Sequence, residues 1–424
     1  MAIQVLPPSA GDKPHVPAFF MARQPILDRH QEAVAFDLSF FSANSQADAA
    51  ASDRMTDAIL AHLVELDMLK VVGELRGFVD LPMHDLMSDV LQHIPRSKFI
   101  FNLRDRIAAT EEALERLNQL TGHGFMFALD GAMEDGESLR KLMPLVEVIR
   151  FDLRKHTLEQ LVQLTSQPQF GNKKLLAENV DTLAQFEACL ALGFDYVQGY
   201  YFTRPAIDPE RELVPSQAAI IEIIALISSD ADSTEIESRI KRDVSLGLNL
   251  LRLVNTAAVG THRIDSLRQA VMVLGRKQLA SWLQVMLYAQ TRGNTPSAKP
   301  LLMLATTRGK LLELIALRHR PGNRGIADAA FTVGIMSLMD TLFGMPMADI
   351  VRQIPVVEEI GEALLERCGY YGDLLVLAEA IERREGAAML LPMLEKFHMD
   401  SGDLFLLQAE AFEWSNNVTQ AMHP

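Results

Sequence analysis

Cysteine is nearly absent from this chain: of 424 residues only Cys189 and Cys368 carry a thiol. Two cysteines set far apart in apolar helical patterns build neither a disulfide framework nor a thiolate metal site, and they suit a reducing, cytoplasmic compartment. Long apolar runs are missing too. The longest aliphatic stretch, Ala218 to Ile227, is broken by Glu222, and the opening MAIQVLPPSAGDKPHVP is polar and proline-rich with no run of signal-peptide length, so no segment is expected to cross a membrane. Positive charge is in deficit, with 40 Lys and Arg against 55 Asp and Glu, a net charge of -15. Such a surface repels nucleic acid and anionic lipid, so neither is an expected partner, and any phosphate contact would need a local basic patch. The one basic run, Arg308, Lys310, Arg318, His319, Arg320 and Arg324, reads as a solvated face beside a turn. No phosphate-cradling glycine loop and no nucleophile elbow occurs.

What is present is enough apolar material for two or three domains: 49% of the residues are hydrophobic. Residues 1–17 are expected to be a disordered leader. From there to Phe202, runs rich in Phe, Val and Ile alternate with helix-period stretches: Phe19 to Leu27, Ala33 to Phe41, Phe78 to Leu81, Lys98 to Leu103, Phe125 to Asp130, Val146 to Leu153, Lys174 to Asn179 and Tyr196 to Phe202. About eight strands with helices after most of them is the arithmetic of a (β/α)8 barrel, an α/β domain placed at 18–203. The first two runs are separated only by Asp28 to Glu32, too short for a crossover, so they are expected to pair antiparallel. Three prolines in TRPAIDPERELVPS mark a linker at 204–216. Beyond it the period is 3.6. Leu246, Leu250, Leu253, Val254 and Ala257 form one apolar stripe and Phe331, Ile335, Leu338 and Leu342 another, which gives an all-α domain at 217–410 and a tail at 411–424. A fragment starting near Pro215 should therefore fold alone. Most of the 20 methionines read as core filler, with Met345 to Met347 the place for a contact groove.

The segments AENVDT and QGYYFTRP (Ala177 to Thr182, Gln198 to Pro205) resemble the EAL family of cyclic di-GMP phosphodiesterases, a barrel whose first strand runs antiparallel. LLRLVNTA (Leu250 to Ala257), SLRQAVMVLG (Ser266 to Gly275) with Trp282, and AFTVGIMSLMDTLFGMPMADI (Ala330 to Ile350) resemble the HDOD domain, a relative of the HD phosphohydrolases. The EAL enzymes hold two hard divalent cations on carboxylate and amide oxygens at the strand ends, where they activate water against a phosphodiester.

Carried over residue by residue, the resemblance implies a depleted site. The opening Glu-Ala-Leu-x-Arg falls on Asp37-Leu38-Ser39-Phe40-Phe41, which shortens the metal-binding Glu to Asp37 and turns the phosphate-gripping Arg into Phe41. The family's next Asn is Asp80, its metal-binding Glu is Asn102, and its Asp-Asp pair is Asp130-Gly131. Lys-x-Asp becomes Arg150-Phe151-Asp152, Glu178 and Gln198 match, and a further Glu is shortened to Asp181. If any cation remains, Asp37, Asp80, Asp130, Asp152 and Glu178 would hold it. Five carboxylates converging without one should repel, and at least one should take up a proton readily. HD hydrolases need His-Asp with further histidines, yet none of His262, His319 and His398 precedes an Asp, and His84-Asp85 stands alone in the barrel half. The expectation is a catalytically inactive EAL–HDOD signalling protein without cofactors, acting on other signalling or regulatory proteins and not on cyclic di-GMP. The alternative is a cyclic di-GMP sensor or residual phosphodiesterase.

Overall fold

The computed structural model describes residues 19–42, 68–81, 83–103, 109–133, 136–204, 215–229, 232–255, 266–289, 298–354 and 356–422. The expected leader and most of the linker lie outside them, as do Ala257 and His262.

All eight apolar runs are strands. β1 (Phe19–Asp28), β2 (Ala33–Ser42), β3 (Arg76–Leu81), β4 (Phe99–Leu103), β5 (Met126–Asp130), β6 (Val148–Asp152), β7 (Lys174–Glu178) and β8 (Tyr196–Gln198) close into a barrel in sequence order. β1 is antiparallel to both of its neighbours, β2 and β8, and the remaining pairs are parallel. The hairpin that reverses the chain turns on Asp28, whose Oδ1 accepts from the backbone N–H of His30 and Glu32, with Gln31 left-handed at φ 62. Helices cover the outside, among them Glu111–Gly122, Leu158–Thr165 and Leu183–Ala191. The last two start on capping boxes, Thr157 with Gln160 and Thr182 with Gln185, which satisfy amide groups that the first helical turn leaves unbonded.

Strand period 2 sets the inside of the barrel. Its floor is one apolar residue from each of seven strands: Ile26, Ala35, Phe78, Ile100, Ala128, Val148 and Leu176. Two residues further toward the mouth on each strand, counted backwards on antiparallel β1, the same face carries Gln24, Asp37, Asp80, Asn102, Asp130, Arg150 and Glu178, with Gln198 completing the ring on β8. A polar layer lies directly on an apolar one.

Past Pro215 every described element is helical. The longest are Ala298–His319 and Ser401–Met422, and the stretch Leu267–Ala289 before them is two helices that meet at Gly275, whose φ of 69 breaks the helical path. Ala298–His319 is the centre, buried along most of its length against Arg324–Met336 and Ser401–Met422. The stretch Arg324–Phe343 is long and apolar enough to pass as a membrane span by composition, but it is mostly buried inside this helical assembly.

Three expectations need correction. Residues 411–422 are no tail: they are the second half of Ser401–Met422, which packs on β1 and on the short helix Met68–Val72 of the barrel. The halves do not have separate cores either, since one continuous apolar cluster holds Phe19, Phe20 and Met21 of β1 together with Leu404, Phe405 and Phe412. Arg23 of β1 fixes this joint. Buried between the rings of Phe36 and Phe412, it donates to Val71 O, Asn416 Oδ1 and Thr307 Oγ1. The helical assembly thus packs on barrel surface that a free domain would expose. Third, Arg308 is not on a solvated face but buried, forked onto both oxygens of Glu382 at 2.8 and 2.7 Å. Among the methionines, Met286, Met336 and Met339 are core as expected, whereas Met87, Met272 and Met389 are exposed and Met345 and Met347 are partly buried.

Candidate functional site

The polar ring is the candidate site, and its members are placed by register. Asp37 of β2 lies opposite Gln24 of β1, Asp80 beside Asn102, Asp130 beside Arg150, and Asp152 beside Glu178. Despite their polarity, Asp37, Asn102, Arg150, Glu178 and Gln198 are all buried. A buried charge is tolerable only where it is paired and hydrogen-bonded.

Arg150 does the pairing. Its Nη2 donates to Asp37 Oδ1 at 3.1 Å and also to Glu178 Oε1, so one guanidinium ties the ends of β2 and β7 together across the barrel mouth. The second oxygen of Asp37 accepts from Ser39 Oγ at 3.1 Å and from Arg384 Nη2 at 2.6 Å. Arg384 belongs to the helical half. It sits in the turn after helix Gly369–Glu382 and also donates to Gln24 Oε1 at 2.7 Å.

Around this core the other carboxylates are engaged locally. Asp80 Oδ1 accepts from Asn102 Nδ2 at 2.9 Å, leaving Asn102 Oδ1 buried with no hydrogen-bond partner among the described residues. Asp130 Oδ1 accepts from the backbone N–H of Ala132 and so caps its own turn. Asp152 stands one layer above Arg150 and takes Nε and Nη2 of Arg154 at 3.2 and 3.0 Å, with Asn179 Nδ2 at 2.8 Å. Burial raises the Asp152 carboxyl, but the hydrogen bonds from Arg154 and Asn179 outweigh it, and the group lies below its ordinary value. For this member the direction is the reverse of the proton uptake expected from mutual repulsion, because cations from the chain itself have entered the cluster. Asn102, Asp130, Arg150, Lys155, Asp152 and Glu178 line a cavity of about 50 Å³ at the mouth. Among the described residues no three acidic, His or Cys side chains are placed to hold one metal ion.

Phe41 lies on the strand face of Asp37 and packs on Phe20, ring centroids 5.4 Å apart, where it offers no donor. Gly131 donates its N–H to Arg150 O at 2.9 Å, and a Cβ there would stand 2.4 Å from Phe151 Cζ and 2.5 Å from Ile149 Cγ2, both core atoms. The backbone at Gly199, φ 157, passes so close to Val180 O that a Cβ would sit 2.0 Å away. Gly199 holds in place Gln198, whose Oε1 accepts from Asn179 N and whose Nε2 donates to Gln24 Oε1. Asp181 is drawn into the start of the following helix, its N–H donating to Gln185 Oε1. In the helical half, His319 and His398 form an aromatic cluster with Tyr370 and Phe397, ring contacts between 5.6 and 6.0 Å, not a ligand set.

Sequence reasoning missed Gln24, Arg154, Asn179 and Arg384. Gln24 was within reach, since the short hairpin fixes parity and places it opposite Asp37. Arg384 lies 347 positions from Asp37, and no local pattern signals that contact.

Comparison with known proteins finds two family matches: the EAL domain over residues 49–205 and the HDOD domain over residues 214–353. The EAL match begins after β2, and the HDOD match ends before helix Glu358–Glu366. Two relatives run the length of the chain. "Uncharacterized protein YuxH" of Bacillus subtilis is 26% identical over 415 residues, 95% of this chain and 99% of that one. "Cyclic di-GMP phosphodiesterase CdgJ" of Vibrio cholerae is 25% identical over 409 residues, 95% and 93% of the two chains. Among solved structures, an EAL domain protein of Listeria monocytogenes is 18% identical with a TM-score of 0.37, covering 44% of this chain and 88% of its own.

Proposed function

Because this chain is an EAL–HDOD protein, an EAL domain followed by an HDOD domain, we propose that it serves cyclic di-GMP signalling as a protein-interaction module whose barrel does not hydrolyse the dinucleotide. The observation that carries this reading is the seat of Arg150. Two-metal hydrolysis uses strand-end carboxylates to hold cations that clamp the attacking and leaving oxygens. Here the same guanidinium spans Asp37 and Glu178, and its fixed positive charge supplies electrostatic balance without a coordination site. A guanidinium stays protonated at any physiological pH, so it neither releases those oxygens nor activates water. A pair of hard cations does not fit the donors that remain: Asp80 is bonded to Asn102, Asp152 to Arg154 and Asn179, and position 131 has no room for a side chain. Phe41 supplies no cation for a phosphate.

The competing reading is residual phosphodiesterase activity, favoured by full-length similarity to the Vibrio protein. Incubation of the purified full chain with cyclic di-GMP and Mg²⁺ or Mn²⁺, with linear dinucleotide quantified, separates the two. The proposal expects no product above that of Glu178→Gln. Turnover at an ordinary enzymatic rate that Glu178→Gln abolishes would refute it.

A further inference from the structure

We propose that Gln24 and Asp37 form a guanidinium-binding seat at the barrel mouth, which the chain fills with its own Arg384, so that the helical half is the barrel's ligand. The proposal stands apart from the question of hydrolysis, because it rests on the other face of Asp37.

Arg384 is delivered by an unusual helix end. Helix Gly369–Glu382 closes with Arg384 N donating to Ile381 O and Glu385 N to Ala380 O, both at 3.0 Å, a Schellman turn in which the left-handed residue is normally glycine. Here that residue is an arginine at φ 59, a conformation that costs a side chain some stability and persists where its surroundings hold it. What holds it is the seat. Nη2 meets Asp37 Oδ2 at 2.6 Å and Gln24 Oε1 at 2.7 Å, the short contacts of charge-assisted hydrogen bonds.

Most of the seat's supports come from the barrel itself. Gln198 Nε2 donates to Gln24 Oε1 and orients the amide, whose own Nε2 reaches Glu382 O at 3.3 Å. Arg150 and Ser39 hold the Asp37 carboxylate. Glu382 in turn is gripped by Arg308, so the turn's root is anchored in the helical core. The acceptors are more deeply buried than their guest: Asp37 is 2% and Gln24 6% exposed, whereas the Arg384 side chain is 27% exposed. A guanidinium can therefore enter from solvent once Arg384 is removed. It follows that anything binding Oδ2 of Asp37 must first displace the turn, which ties occupancy of this seat to docking of the helical half.

The test is chemical rescue in the full chain. Arg384→Ala is expected to melt a few degrees below wild type. Ethylguanidinium at about ten times its dissociation constant should then raise the midpoint of Arg384→Ala by about 1–2 °C more than that of wild type. Ethylammonium at equal ionic strength should do less, and adding Asp37→Asn to the variant should remove the effect. Equal responses in wild type and variant, or a response that survives Asp37→Asn, would overturn the seat. If Arg384→Ala does not fold, Arg384→Gln, which keeps bulk and one donor, goes through the same assay: rescue that needs Asp37 supports the seat, and its absence overturns it.

Discussion

Replacing Arg150 by Met would keep most of the side chain's volume and delete the charge that Asp37 and Glu178 share. Asp37 retains Arg384, while Glu178, a buried carboxylate whose side chain is 10% exposed, loses this guanidinium. Removing one partner of a buried ion pair costs about 3–5 kcal/mol, because the other charge is left behind. With an unfolding entropy of about 2 cal/mol/K per residue, a chain of 424 residues unfolding as one unit loses about 1 °C per kcal/mol, so the midpoint should fall by about 3–5 °C. The shared apolar cluster is the reason to expect one unit. Circular dichroism or scanning calorimetry would read the shift. Two companions sharpen it: Arg150→Lys should recover only part, since an ammonium is more strongly hydrated than a guanidinium and has a different reach. Arg150→Met with Glu178→Gln should recover part of the loss by removing the buried negative charge. An Arg150→Met protein that melts with or above wild type would refute the view that this guanidinium neutralises the mouth.

Gly131→Asp, which rebuilds an Asp-Asp pair, should destabilise by about 2–4 kcal/mol, the cost of overpacking against Phe151 and Ile149 plus a buried charge, and unfolding in urea would measure it. Asp152 has a depressed carboxyl, so its stabilising contribution is complete above the ordinary carboxylate value near 4 and is lost as pH falls below it. Asp152→Asn should therefore melt below wild type at pH 7 and approach it in acid; parallel curves across that range would contradict the assignment. A fragment starting at Pro215 should bind a hydrophobic dye and unfold with a broad transition, having lost the β1 surface that Phe405 and Phe412 cover. A sharp, dye-free transition would restore the view of two independent domains.

The barrel was legible because strand runs, the hairpin loop and period 2 are local properties, and the polar ring follows from them: each ring residue sits two positions from an apolar floor residue. The antiparallel β1 was legible for the same reason, a five-residue loop admitting no crossover. Arg150 stands out in the sequence as a substituted residue, but its role does not, because a side chain's partner across a barrel depends on closure rather than on spacing. Arg384 and the packing of Ser401–Met422 on the barrel depend on how two halves dock, which apolar periodicity does not encode: a helix shows one apolar stripe whether its neighbour is near or distant in sequence. The tail expectation failed on this point, since Phe412 and Asn416 lie against Arg23 of β1.

The central claim is that arginines, not divalent cations, balance the mouth carboxylates, and thermal unfolding of the wild-type chain with and without millimolar Mn²⁺ tests it most directly. A cation at a hundred times its dissociation constant would add about 2.7 kcal/mol to the folded state, or about 3 °C for a chain of this size. The account predicts a midpoint that Mn²⁺ does not move, in wild type and in Asp130→Asn alike. A clear rise in wild type that disappears in Asp130→Asn would mean that the ring still holds a metal, and would contradict it.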